Sequence, residues 1–125
     1  MSGEQLPAID ASAYGALEDV ADGDVEFMVE LLNQYLLDAE PLVAALGHAN
    51  AMGDGESLKR AAHTLKSSSA NVGAITLSNF SETLQSIGRS GELVGAAVTI
   101  LAAEAEYARV CGELQNRLRR LESQG

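Results

Sequence analysis

Apolar residues recur along most of this chain at alternating steps of three and four, which places them on one face of an α-helix. Met28, Leu32, Tyr35, Ala39, Leu42 and Leu46 form one such stripe. Leu58, Ala62, Leu65, Ser69 and Val72 form a second, and Leu77, Phe80, Leu84 and Ile87 a third. The longest is Leu93, Ala97, Ile100, Glu104, Tyr107, Cys111, Leu114, Leu118 and Leu121. No segment shows a convincing strand alternation. A stripe of this kind is stable only when buried, so the four stripes must face one another.

Starts and stops follow from the residues between the stripes. Asp10 can cap a short helix with Ala13, Tyr14, Leu17 and Val20 inward. Asp22-Gly23-Asp24 punctuates it, and Asp24 can cap the second helix, which runs to about Leu46. Pro41 falls inside that helix, removes one amide donor and is expected to kink it. His48 to Gly55 reads as a loop, with His48 near the end of the second helix, where a histidine cation suits the dipole. Asp54 or Glu56 opens the third helix, and Gly73 fits its C′ position. The fourth runs from about Ile75 to Gly88, Arg89-Ser90-Gly91 is a turn, and the fifth ends near Leu121. Short connections between long helices imply antiparallel neighbours. The expected fold is all-α: an antiparallel up-down four-helix bundle over residues 10–121, with an additional short N-terminal helix covering one end. Residues 1–9 read as a flexible lead-in and 122–125 as a tail. The length suits a single domain.

Charge is distributed unevenly. Residues 1–58 carry twelve acids and no base, whereas residues 59–125 carry eight bases and six acids. The net charge of −10 makes the chain a poor partner for nucleic acid or an anionic membrane. No apolar run is long enough to span a bilayer, and the N-terminus lacks the charged and apolar regions of a secretion signal. The lone Cys111 cannot form an internal disulfide, which suits a reducing, cytoplasmic setting. It lies on a core stripe and reads as packing.

Against this acidic background, Lys59, Arg60 and Lys66 stand within four positions of His63. Lys59, His63, Lys66, Ser67 and Ala70 share the side of the third helix opposite its apolar stripe. An imidazole on that face is open to solvent and beside positive charge. It is nucleophilic near neutral pH, because its ordinary pKa is about 6.5. A phosphoryl group on it would bring negative charge that Lys66, one turn on, could neutralise. Other chemistries lack their parts. There is no glycine-rich phosphate loop, no His-Glu-x-x-His zinc motif, and no acid or oxyanion hole to make a nucleophile of Ser67 beside His63.

The segment Ala62-His63-Thr64-Leu65-Lys66-x-x-Ser69-x-x-x-Gly73-Ala74-x-x-Leu77 resembles the signature of histidine-containing phosphotransfer (HPt) domains of two-component phosphorelays. Similarity in pattern extends from about Asp24 to Leu121. The resemblance implies a four-helix bundle with an exposed phospho-accepting His63, reacting through Nε2, and Lys66 stabilising the phosphoryl group. It implies that Gln85, twenty-two residues on, holds the imidazole from the next helix. Gly73 matches a glycine that keeps the surface open for the partner, while Ser67 stands where family members commonly have glycine. The implied partners are receiver domains, one of a hybrid sensor histidine kinase and one of a response regulator. The receiver supplies Mg²⁺; the chain has no cofactor or metal of its own, no ATP site and no kinase activity by itself. The docking surface is expected around Lys59, Ser67, Ala70 and Gly73. It is extended by Phe27, which with Leu37 points away from the core stripe of the second helix while Val29 lies at its flank. The expected state is a monomer. The competing reading is a helical scaffold without phosphate chemistry, against which His63 itself argues.

Overall fold

The computed structural model describes residues 6–124. Five helices follow one another: α1 (Ala11–Ala21), α2 (Val25–Ala51), α3 (Gly55–Asn71), α4 (Ile75–Ser90) and α5 (Ala96–Gln124). No strand occurs among the described residues. Aspartates start three of the helices. Asp10, Asp24 and Asp54 each accept a backbone N–H from the third residue on, at 2.9, 3.0 and 3.1 Å. Asp54 also accepts the Ser57 hydroxyl at 2.7 Å, and these two bonds hold its carboxyl below the usual range. α3 ends in a Schellman turn: Ala74 N–H donates to Ser69 O, Gly73 N–H to Ala70 O, and Gly73 takes φ +88°.

The four long helices close a ring in which α2 packs on α3, α3 on α4, α4 on α5 and α5 on α2. Their pairings run antiparallel. Lys66 of α3 meets Ser78 of α4, His63 meets Gln85, and Gly55 meets Gly88. Leu32, Leu46, Leu58, Leu65, Leu77, Leu84 and Leu114 are fully buried between them. The hydroxyls of Tyr35 and Ser69 meet across this core at 2.8 Å, and burial pushes the Tyr35 hydroxyl up to about 12. α2 and α5 have 27 and 29 residues, against 17 and 16 in α3 and α4. The longer pair therefore projects by roughly ten residues, or about 15 Å. α1 and the segment before it cover this overhang. Ile9 and Tyr14 are buried there, and the Arg117 guanidinium lies 4.3 Å from the centre of the Tyr14 ring. Asp10 N–H donates to Gly73 O at 2.8 Å, and Arg109 clamps Leu6 O at 2.7 Å while pairing with the buried Glu106.

Several expectations are corrected by these contacts. The lead-in is no loose arm over residues 6–9, where Ala8 and Ile9 are buried; residues 1–5 lie outside the described residues. The tail is helical through Gln124, with Gly125 outside the described residues. α2 runs through Pro41, whose ring faces solvent, and on to Ala51, so His48 lies in its last turn and the loop is only residues 52–54. Val20 is exposed and Ala21 takes its place in the core. On α5 the buried positions are Ala96, Ile100, Ala103, Glu106, Val110, Leu114 and Leu118, whereas Ala97 and Glu104 face solvent. The cause is local. Leu93 precedes the helix, in a turn that ends with Gly95 at φ +89°, so a period counted from it meets Ile100, Leu114 and Leu118 but misses Ala96, Ala103, Glu106 and Val110.

Gly73 is the largest change in role. It is buried, and a Cβ there would meet Tyr14 N at 3.2 Å, Asp10 O at 3.3 Å and Ile9 Cγ2 at 3.3 Å. It faces the chain's own N-terminal segment, not an incoming partner. Gly73→Ala is expected to cost about 1–2 kcal/mol, from a left-handed backbone forced on an L-residue and from crowding of that segment. Urea denaturation of the two proteins measures it.

Candidate functional site

α3 presents His63 from the middle of its length, on the face opposite Leu58, Ala62 and Leu65. Those three residues are fully buried, so the register of α3 is set by its core stripe and His63 is carried outward with it. The ring is exposed, and Nδ1 lies 3.2 Å from Gln85 Nε2 on α4. With Nδ1 turned to Gln85, Nε2 is the nitrogen left for an incoming group.

Gln85 is 9% exposed, and its Oε1 is buried without a hydrogen-bond partner. A side-chain amide can present either end to a neighbour by half a turn. With the NH₂ toward His63, Nδ1 accepts and the ring proton resides on Nε2. With the carbonyl toward His63, Nδ1–H donates to it, the NH₂ takes the buried position, and the Nε2 lone pair is free.

Charge is added from two helices. His63 borders an open depression of about 400 Å³, lined also by Glu56, Lys59, Arg60, Thr64, Gln85 and Arg89. Glu56 pairs with Lys59 at 3.3 Å and with Arg60 at 3.6 Å, which offsets part of their charge. Arg89 and Lys66 have no carboxylate within salt-bridge distance among the described residues. Lys66 is half-buried, and its carbonyl accepts the Ser78 hydroxyl at 2.9 Å. Two unpaired cations therefore stand near the histidine, Lys66 a turn along α3 and Arg89 across the groove on α4. Among the described residues, no three His, Cys, Asp or Glu side chains gather as metal ligands.

The remaining expected positions divide. Lys59, Ser67 and Ala70 share the His63 face of α3, with Ser67 and Ala70 exposed. Phe27, 39% exposed, lines a separate shallow groove on α2 with Glu30, Leu31 and Gln34. Leu37 is 71% exposed, and Val29 is half-buried against the core. Gly73 does not join this face. Arg89, which the spacing assigns to a turn, belongs to α4, which continues past Gly88 to Ser90. The available signal was its spacing of four from Gln85, which puts both on one helical face.

Comparison with known proteins gives the family and the fold. The family model of the Hpt domain matches residues 30–124. The crystal structure of histidine-containing phosphotransfer protein B (HptB) from Pseudomonas aeruginosa PAO1 superposes with a TM-score of 0.83, at 31% sequence identity, over 93% of this chain and 98% of that one. No curated protein matches the chain. A match over three quarters of the residues, on a helical bundle that exposes one histidine on α3, places this chain in the Hpt-domain family.

Proposed function

We propose that the chain relays a phosphoryl group between receiver-domain aspartates by carrying it on Nε2 of His63. The observation that supports this reading best is the pairing of an exposed imidazole, held through Nδ1 by Gln85, with two unpaired cations. In the acceptor state the Gln85 carbonyl accepts a hydrogen bond from Nδ1–H and the Nε2 lone pair points outward. As the N–P bond forms, the P–O bond to the receiver's aspartate breaks and the carboxylate departs. The ring's new positive charge is shared with Nδ1–H, and the phosphoryl oxygens lie against Lys66 and Arg89. The reverse step returns the group to a second receiver. A Mg²⁺ held by the receiver would offset part of the charge on the transferring phosphoryl group. The chain acts as a cytoplasmic, monomeric carrier between a hybrid kinase and a response regulator, with no ATP chemistry of its own.

The receiver docks over Lys59, Ser67 and Ala70 and reaches the α2 groove that holds Phe27. Exposed apolar groups beside a polar rim suit such a contact. Serine at 67 adds only a hydroxymethyl group relative to glycine, so the approach stays open.

His63→Gln is expected to abolish labelling by a receiver loaded from acetyl phosphate, with unchanged helical circular dichroism. Label persisting on that variant, on His48 for example, overturns the assignment, and absence of label on the parent favours the scaffold reading. Lys66→Ala and Arg89→Ala are each expected to slow acceptance roughly tenfold, the scale of one charge-assisted contact. Rapid-quench transfer kinetics distinguish this from the unchanged rates of two merely solvated cations.

A further inference from the structure

One contact between α3 and α4 is closer than side chains permit. A Cβ built on Gly88 would lie 2.6 Å from Gly55 O, 2.7 Å from Lys59 N and 3.1 Å from Lys59 Cα. A Cβ on Gly55 would lie 2.9 Å from Gly88 O. All of these neighbours are backbone, so none can swing aside. Gly88 has no positive φ, so it is not required by its own conformation. Its lack of a side chain is needed for the distance between two helices.

That distance bears on the histidine. Gly88 is three residues beyond Gln85 on α4, and Lys59 is four before His63 on α3. At the other end of the groove, the Ser78 hydroxyl ties α4 to Lys66 O at 2.9 Å. An alanine at 88 must retreat by roughly 1 Å to reach ordinary contact. If α4 pivots about the Ser78 tie, Gln85 lies some seven-tenths of the way to Gly88 and moves by about 0.7 Å. The Gln85–His63 contact is already 3.2 Å and has no such room before it ceases to be a hydrogen bond.

We propose that Gly88 is a positioning residue for His63: its missing side chain holds α4 near enough to α3 for Gln85 to reach Nδ1 and hold the ring. Gly88 acts only through Gln85 and touches neither ring nor phosphoryl group. The inference about the ring's position stands on geometry alone; its effect on transfer rests on the proposed phosphorelay role.

The test compares the parent, Gln85→Ala, Gly88→Ala and the double variant by ¹⁵N NMR of the His63 ring across pH, and by acceptance from a phosphorylated receiver. Tyr35→Phe, which weakens the α2–α3 interface instead, controls for lost stability. Gly88→Ala is expected to stay folded with a lower melting temperature and to show the ring shifts of Gln85→Ala. Its acceptance should fall roughly fivefold, as for the loss of one hydrogen bond. The double variant should be no slower than Gln85→Ala. Tyr35→Phe should keep the parent ring shifts. Parent-like ring shifts in Gly88→Ala, losses that multiply in the double variant, or altered shifts in Tyr35→Phe would each overturn the proposal. Should Gly88→Ala not fold, Gly55→Ala carries the same readout, with the milder 2.9 Å contact. Ring shifts that move as expected in a protein that accepts no phosphoryl group would leave the positioning role intact and remove the phosphorelay reading.

Discussion

The peptide groups of Gly55 and Gly88 face each other with no side chain between them, and the surroundings of His63 depend on that contact. α4 has two working faces. Leu77 and Leu84 enter the shared core, while Ser78, Ser81, Gln85 and Gly88 turn small or polar groups toward α3. The second face buries little apolar area and adds little to stability on that account. What it gains is proximity. Ser78 reaches the Lys66 carbonyl, Gln85 reaches the imidazole, and Arg89 arrives beside the same groove. A leucine seam at these positions would hold α4 farther off, and His63 would be an ordinary solvated side chain.

Electrostatics narrows what the exposed imidazole can meet. The first 58 residues are wholly acidic in their charged side chains, and the chain as a whole is at −10. A free anion is repelled at long range, while cations beside the histidine act only within about a Debye length, near 8–10 Å at ordinary salt. Glu56 moderates Lys59 and Arg60, so positive charge near the ring rests mainly on Lys66 and Arg89. Such a site favours a phosphoryl group delivered by contact over one captured from solution. That is consistent with a member of a phosphotransfer family.

The end of the bundle away from α3's start has a different logic. α2 and α5 outrun their neighbours, and the chain uses its own N-terminal segment to cover the exposed inner faces. Gly73 belongs to this arrangement. A glycine that ends one helix also gives Asp10 a carbonyl to bind and leaves Tyr14 and Ile9 space to pack. Its place in the Hpt-like signature is thus explained by the chain's own folding, with no partner needed.

Local chemistry was legible in the residues alone. Aspartate caps at 10 and 24, the choice of Asp54 or Glu56 to open α3, the glycine stop at 73 and most of the α2 to α4 stripes depend on neighbours within one or two turns; Val43 is buried beside a half-buried Leu42, and Phe80 and Ile87 are half-buried. The outward face of His63 follows from the same spacing. Features set by distant segments were not legible. Ala96, Ala103 and Val110 of α5 were missed because Leu93 lies before the helix, although Ile100, Leu114 and Leu118 stand as expected. Burial of Glu106 depended on the Arg109 clamp to Leu6, and the reach of Arg89 on two further residues of α4. The contact of Gln85 with His63 depends on how closely two helix backbones approach. A sequence specifies which side chains share a helical face, because the helix repeats at fixed intervals. The separation of two such faces is decided only when both are packed, by the smallest residues between them.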